Sequence, residues 1–232
     1  MIKRLILRYL KRDIKCELNC AVRADDEDAL QTKMMYFLHE ILYIFFSQKQ
    51  RDLIDLLDVR GRGVHRMENH YGFPGSTCIA VPDAIIQNAK SYDKAKNKYT
   101  KPPLAIFEMK KITIDPVTGI DPTTGKCLGK AYTWYKPVKG RGRTQLEANM
   151  QYLPNGPHYT GRTQYVICTN GIYWEFYDKY DLSPKPSSSY YLGKSSHKCV
   201  AQGARVNINT KEFNALVNEI IKIYRTILYR IS

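Results

Sequence analysis

Two charged side chains close an otherwise apolar run in the segment LAIFEMKKI, residues 104 to 112. Glu108 and Lys110 are two positions apart, so on a strand they project from the same face. Charged groups at the end of a buried strand are costly unless they are paired or bind a metal ion. An earlier β-rich segment, residues 77 to 86, contains Pro82 followed by Asp83. If the two strands are neighbours, two carboxylates and one ammonium meet at one end of a sheet.

This trio has the groups that phosphodiester hydrolysis needs. Mg²⁺ is usually held by one or two carboxylates, with water and substrate phosphate completing its shell. A bound metal lowers the pKa of its water and neutralises charge that develops on the phosphate. A neighbouring lysine can orient the water or stabilise the transition state. We therefore predict that Asp83 and Glu108 bind Mg²⁺, for which Mn²⁺ substitutes, and that Lys110 positions or polarises the water. The competing interpretation is a solvated ion pair worth about 0–1 kcal/mol.

The apolar pattern predicts the elements that position these residues. Residues 2 to 14 have the spacing of a basic amphipathic helix, and a second, largely apolar helix follows the acidic pair at 25 and 26 and runs to about residue 48. A short third helix is predicted over 51 to 58. Two strands follow, at 77 to 86 and 104 to 112, separated by a lysine-rich loop. The near-repeats DPVTG and DPTTG, from residue 115 to 125, predict consecutive turns.

The second half of the chain predicts a helix, a hairpin and a final helix. Residues 144 to 153 are helical in pattern, and 163 to 178 form two β-rich runs around Asn170-Gly171, a preferred pair for tight hairpin turns. Residues 183 to 200 predict a loop, and 211 to 231 a helix capped by Asn209 or Thr210. The order of elements predicts one α/β domain over residues 1–232. Its parts are a helical amino-terminal region (about 1–60), a core bearing the motifs (about 71–180) and the carboxy-terminal helix.

The combination of Pro82-Asp83 with Glu108-Met109-Lys110 resembles the signature of the PD-(D/E)xK nuclease superfamily. In the restriction branch, a helix bearing Gln-x-x-x-Tyr follows, and TQLEANMQYL is similar: it supplies Gln145, although Asn149 stands where the branch has Tyr. The segment YVICTNGIYWEFYD resembles the strand, Thr-Asn-Gly turn and aromatic strand in the amino-terminal nuclease domain of type I restriction motor subunits. The resemblance covers roughly residues 77 to 178.

The resemblance implies a restriction-endonuclease-like core with a central mixed β-sheet flanked by helices. It implies a Mg²⁺-dependent DNA endonuclease of the restriction or defence type in which Gln145 assists Asp83, Glu108 and Lys110. Many members place a further metal-binding acid on an early helix, for which Glu40 is the first candidate and Glu68 the second. The sequence has no Gly-x4-Gly-Lys-Ser/Thr loop, so we expect a nuclease core without the ATP-driven motor.

The charge of the chain agrees with a polyanionic partner. Lys and Arg number 36 against 22 Asp and Glu, which gives a net charge of +14. DNA contacts are expected from two basic loops that flank the motif strands, and such phosphate contacts weaken with salt. The candidates are Lys94, Lys96, Lys98 and Lys101 in one loop, and Lys136, Lys139, Arg141 and Arg143 in the other. Tyr132, Trp134 and Tyr135 either stack on bases or, as we favour, pack the root of the second loop.

Other functions fit part of the pattern. A Holliday-junction resolvase or a viral recombination exonuclease of the same superfamily is the first alternative, and a non-catalytic nucleic-acid-binding protein is the second. A membrane-surface protein that uses the basic first helix is a third. Members of the superfamily that cut both DNA strands often act as dimers, so a homodimer is compatible with the sequence. The dispersed cysteines favour reduced thiols over a zinc or iron–sulfur site, and without a signal peptide pattern we expect a cytoplasmic protein, in the host cell if viral.

Overall fold

The computed structural model describes residues 2–59, 70–73, 81–138 and 142–232. Its strands are, in chain order, β1 (Ile54–Asp58), β2 (Ala84–Asn88), β3 (Tyr92–Asp93), β4 (Lys98–Tyr99), β5 (Ala105–Met109), β6 (Tyr165–Thr169), β7 (Tyr173–Tyr177) and β8 (Ser188–Tyr191). Six of them form one sheet in the order β1-β2-β5-β6-β7-β8, and β3 pairs with β4. Only β5 and β6 are parallel among these strand pairs. The predicted α/β class with a central mixed sheet flanked by helices is confirmed.

The helices cover both faces of the sheet. They are α1 (Ile2–Ala24), α2 (Glu27–Phe45), α3 (Gln48–Arg51), α4 (Gln145–Met150) and α5 (Thr210–Ile231). The three long helices, α1, α2 and α5, bury the larger core against one face, and α4 packs on the smaller core of the other face. No helix in the part of the chain that the structure describes has the length and apolarity needed to cross a bilayer.

The predicted starts of α2 and α5 are confirmed. The Asp26 side chain caps α2 by accepting a hydrogen bond from the Asp28 N–H, and the Asn209 side chain caps α5. The predicted apolar stripe of α5, from Phe213 to Leu228, is buried. The first helix is ten residues longer than predicted and ends at Ala24. Its apolar spacing continues through Leu18, which is fully buried against the larger core, so the extension is stabilised by packing.

Two strands of the six-stranded sheet were missed by the sequence prediction, as was the short pair β3 and β4 within the predicted lysine-rich loop. A third helix was predicted over residues 51 to 58, but residues 54 to 58 form strand β1. The buried side chains of this strand alternate (Ile54 and Leu56), and its backbone pairs with β2. Strand β8 lies within the predicted loop of residues 183 to 200 and pairs along β7, Tyr190 lying opposite Trp174. A Ser-rich edge strand has little apolar pattern of its own, so only the pairing reveals it.

Strands β5, β6 and β7 follow the prediction, whereas β2 covers only the end of its predicted segment and extends past it to Asn88. Strands β6 and β7 flank Asn170-Gly171, and Gly171 has a positive φ of 85°, as a tight hairpin turn requires. Of the segment predicted as the first motif strand, residues 77 to 80 lie outside the described residues, and β2 begins directly after Asp83. The second motif strand is β5.

Candidate active site

Antiparallel pairing of β2 and β5 sets Asp83 beside Glu108. The register pairs Ala84 with Phe107, and the Asp83 N–H donates to the Phe107 carbonyl at 3.0 Å. The Asp83 carboxylate accepts a hydrogen bond from the Met109 N–H at 2.6 Å through Oδ2. Because strand side chains alternate between faces, Asp83, Glu108 and Lys110 all lie on the face of the smaller core. The three side chains singled out in the sequence therefore gather at one end of the sheet.

An ion pair joins the two charged residues of β5. The Lys110 Nζ lies 2.6 Å from Glu108 Oε1, and only 4% of Lys110 and none of Glu108 is exposed. The same ammonium lies 3.3 Å from Oε1 of Glu27. Glu27 is in the first turn of α2, where the helix dipole favours an acid, and its side chain remains 40% exposed. One ammonium is thus held between two carboxylates, with Asp83 alongside.

The cluster has an excess of carboxylate. Burial raises the pKa of Asp83 well above its usual range, and the charge of Glu108 adds to the rise. Burial likewise raises the pKa of Glu108, against the effect of Lys110. For Lys110, burial alone would lower the pKa, but the carboxylates of Glu108, Asp83 and Glu27 outweigh it and the pKa is raised. Lys110 therefore keeps its proton at neutral pH.

Helix α4 faces the cluster, as the sequence predicted, but through a different residue. The Asn149 Nδ2 donates to Glu108 Oε2 at 3.5 Å, and Asn149 is 1% exposed. Gln145, predicted to assist, lies one turn earlier and forms no hydrogen bond with the trio in the described structure. Its Oε1 is buried and has no hydrogen-bond partner among the described residues. The hydrogen bond to Glu108 is therefore made by Asn149, at the position where the restriction branch has Tyr.

An early helix does bring an acidic residue to this cluster, but that residue is Glu27 and not Glu40, the one predicted from the sequence. Glu40 lies thirteen residues further along α2, which is about 20 Å at 1.5 Å per residue. Its Oε1 accepts a hydrogen bond from the Tyr9 hydroxyl at 3.5 Å, and burial together with Asp13 raises its pKa. Glu68 lies outside the described residues. The sequence signal for Glu27 was its place directly after the helix cap.

A polar contact links the cluster to the edge strand β1. The Gln31 amide, 1% exposed on α2, donates to Asp58 Oδ1 at 3.1 Å and to the Asp83 carbonyl. Asp58 pairs with Ala84 in the sheet, so it lies at the same end as Asp83. Sequence reasoning missed Asp58 because it assigned this segment to a helix. The contact fixes the backbone of Asp83 from the side of α2.

The two predicted basic loops lie at opposite ends of the sheet. Lys136 is exposed, and its charge acts on the Glu108 carboxyl, opposing the rise in pKa that burial causes. Arg143 is half-buried on the same loop, whose Lys139 and Arg141 lie outside the described residues.

The lysine-rich loop instead follows the far end of β2. Asn88 is five residues from Asp83, which is about 17 Å along a strand. Lys94, Lys96, Lys98 and Lys101 are therefore not brought to the carboxylates, and Lys96 pairs with Asp93 at 3.5 Å. Trp134 is fully buried and stacks on Tyr173, with ring centroids 6.0 Å apart, which agrees with packing at the root of the second loop.

Carboxylate oxygens are the ligand type that a hard divalent cation prefers, and the cluster offers two of these groups in Asp83 and Glu108. In the described part of the chain, no group of three His, Cys, Asp or Glu side chains is arranged to hold a metal ion. Two protein carboxylates can suffice for Mg²⁺, which commonly takes its remaining ligands from water and substrate phosphate. Asp83 and Glu108 would supply these two. Burial raises the pKa of both carboxyls, and Gln145 Oε1, one helical turn before Asn149, has no hydrogen-bond partner among the described residues. The described cysteines are free thiols: Cys16, Cys20, Cys127, Cys168 and Cys199.

The fold and the cluster define an α/β protein with a buried carboxylate–ammonium site at the end of a mixed sheet. Comparison of the chain with family models, curated proteins and solved structures gives no match in any of the three. The arguments for an activity therefore come from the residues of the site and their geometry.

Proposed function

We propose that this chain is a metal-dependent nuclease of the PD-(D/E)xK type that hydrolyses phosphodiester bonds in DNA. The observation that carries the proposal is the meeting of Asp83, Glu108 and Lys110 at one sheet end, with two carboxyls whose pKa values are raised. Perturbed acids beside a charge partner are a mark of functional sites. A structural ion pair alone does not explain the second carboxylate.

Asp83 and Glu108 would hold the divalent ion. When bound, Mg²⁺ supplies a water of lowered pKa and neutralises charge on the phosphate. The Met109 N–H fixes one oxygen of Asp83, and Asn149 lies next to the second oxygen of Glu108. These contacts orient both carboxylates before any ligand binds, which reduces the reorganisation that binding requires.

Lys110 acts through its charge. Because its pKa is raised, the ammonium keeps its proton at neutral pH and does not serve as a general base. A fixed ammonium can donate a hydrogen bond that orients the attacking water, or stabilise the negative charge of the transition state. Glu27 shares the ammonium with Glu108 and so holds its position.

Substrate would approach from the open side of the cluster. Glu108 is fully buried, whereas Asp83 is only partly buried and Glu27 is 40% exposed along its side chain. Lys136 is exposed nearby and would contact the phosphate backbone, and the net charge of +14 favours a polyanion. These features support nucleic acid as the substrate class.

Cleavage of DNA in the presence of Mg²⁺ tests the proposal, with a matched pair of glutamate variants. Glu175 lies on the same sheet face, two strands from Glu108 and in the same row, and its carboxylate accepts hydrogen bonds from the hydroxyls of Tyr173 and Tyr177. We expect Glu108→Gln to slow cleavage by roughly 10²–10³-fold or more, and Glu175→Gln to cleave as the wild type does.

The outcomes separate the proposal from its alternatives. Equal cleavage by the wild type and both variants would assign the activity to another source and contradict the proposal. Binding of DNA with no cleavage and no carboxylate-dependent uptake of Mg²⁺ would favour a non-catalytic binding protein. If cleavage occurs, linear, circular, single-stranded and four-way-junction substrates distinguish an endonuclease from an exonuclease or a junction resolvase.

A further inference from the structure

A second basic site lies on the other layer of the molecule. A groove of about 720 Å³ runs between α1 and the start of α5. Five cationic side chains of α1 line it: Arg4, Arg8, Lys11, Arg12 and Lys15. Positions 4, 8, 11 and 15 are spaced by four, three and four residues, so they form one stripe along the helix. The eleven steps from position 4 to position 15 make the stripe about 16 Å long.

The groove lacks a counter-charge. Its lining contains no acidic residue, and none of the five cations forms an ion pair with a described carboxylate. Two neutral side chains of α5, Thr210 and Asn214, also line the groove. The Lys11 ammonium donates a hydrogen bond to the Thr210 hydroxyl. Like charges held this close repel one another, and a bound polyanion relieves that repulsion.

The packing of α1 favours nucleic acid over a membrane surface. A helix that binds a membrane inserts its apolar face among the lipids. In α1 that face is already used, because Leu10, Ile14 and Leu18 are 0–2% exposed in the larger core. Leu5 and Tyr9 of α1 remain exposed, but the main apolar face of the helix is buried and five cations line the groove. A concave groove lined by cations suits a chain of phosphates better than a flat bilayer.

The groove is separate from the carboxylate cluster. Helix α1 packs on the face of the larger core, whereas Asp83, Glu108 and Lys110 lie on the other face. The carboxy-terminal end of α1 is the one near the cluster, since Asp25 pairs with Lys111 at 2.8 Å. Along the helix, Lys15 is about 15 Å and Arg4 about 32 Å from Asp25.

We propose that this groove binds the phosphodiester backbone of nucleic acid, as a contact distinct from the hydrolytic site. Contacts of this kind give affinity that depends on salt and not on sequence. The proposal does not depend on the proposed hydrolysis, because binding can be measured in EDTA. Failure of cleavage and failure of binding at the groove are therefore separate results.

The test compares two triple variants that remove the same charge. Arg4→Gln/Arg8→Gln/Arg12→Gln changes exposed positions of the groove helix, and Gln maintains helix propensity. The control, Lys49→Gln/Lys179→Gln/Lys185→Gln, changes three exposed lysines elsewhere. Binding of a short fluorescein-labelled DNA duplex is followed by anisotropy in EDTA at several salt concentrations.

We expect the groove variant to bind roughly tenfold or more weakly, and the slope of log K against log salt to be flatter by about 2–3. The control should match the wild type. An equal loss in both variants would reveal a general effect of charge and overturn the proposal. A groove variant that keeps full DNA binding, or loses only binding to phosphatidylserine vesicles, would also overturn it. Circular dichroism checks that both variants are folded.

Discussion

The Lys110 ammonium lies 2.6 Å from the Glu108 carboxylate at a point where both side chains are almost fully buried. Asp83 lies beside this pair, and Glu27 lies 3.3 Å from the ammonium on the other side. One positive charge thus faces three carboxylates. The cluster therefore carries more carboxyl groups than cations.

This imbalance predicts opposite effects for two substitutions in the metal-free protein. Lys110→Met leaves the buried Glu108 without a partner, so we expect a loss of about 3–5 kcal/mol in the free energy of unfolding. Asp83→Asn removes a charge that repels Glu108 and keeps an acceptor for the Met109 N–H, so we expect a change within about 1 kcal/mol or a gain. Urea unfolding in EDTA measures both. Greater destabilisation by Asp83→Asn would contradict the assigned balance of charge.

Addition of Mg²⁺ should stabilise the wild type. A ligand that binds only the folded state adds about 2.7 kcal/mol at a concentration one hundred times its Kd. We expect thermal unfolding to shift upward with Mg²⁺, and EDTA to reverse the shift. Asp83→Asn should remove the shift, whereas Asp52→Asn, on the exposed surface before β1, should keep it. An equal shift in all three proteins would assign the effect to another site.

The repeated turns DPVTG and DPTTG provide a matched test of acid stability. Burial alone would raise the pKa of Asp115, but backbone N–H groups of Thr118, Lys198 and Val117 donate to its carboxylate and lower the pKa. The folded state therefore prefers the charged form. This contribution is present above about pH 4, the usual Asp value, and is lost as the pH falls below it.

We accordingly expect Asp115→Asn to lose about 1–3 kcal/mol of unfolding free energy at neutral pH, and the difference from wild type to shrink in acid. Asp121, at the same place in the second turn, is much less buried and bonds only within its own turn. Asp121→Asn should cost less. Urea unfolding at several pH values measures these free energies. A difference between Asp115→Asn and the wild type that did not change with pH would contradict this prediction.

The hairpin turn at Gly171 should tolerate no side chain. Its φ is 85°, and a Cβ there would lie 2.6 Å from Leu18 Cδ2 and 2.9 Å from Leu30 Cδ1. Gly125 also has a positive φ, 68°, but open space around it. We expect Gly125→Ala to cost about 1–2 kcal/mol from backbone strain, and Gly171→Ala to cost more because α1 and α2 must shift. Thermal unfolding measures both variants. Equal destabilisation of the two would show that Leu18 and Leu30 move aside without cost, and would contradict this prediction.

The site could be predicted from the sequence to the extent that it follows from strand geometry. Alternation on β5 places Glu108 and Lys110 on one face, and neighbouring strands bring Asp83 to them. The early-helix acid could not be assigned in this way. Glu40 and Glu27 lie on the same helix, and only the packing of α2 on the sheet determines which end meets Lys110.

Other differences also arise from tertiary structure. The apolar residues from 53 to 57 suit a helix or a strand, and pairing with β2 decides in favour of the strand. The lysines from 94 to 101 are close to Asp83 in the sequence, but β2 carries the chain to the opposite end of the sheet. The spacing of residues in the sequence does not show at which end of the sheet a loop lies.

The most direct test of the proposed nuclease site compares two adjacent lysines under single-turnover conditions with DNA and Mg²⁺. Lys111 pairs with Asp25 outside the trio, so Lys111→Met removes the same charge as Lys110→Met without altering the cluster. Under conditions where circular dichroism shows both variants folded, we expect Lys111→Met to cleave at the wild-type rate and Lys110→Met to be slower by about 10²-fold or more. Equal cleavage by the two variants would contradict the assignment of Lys110 to the reaction.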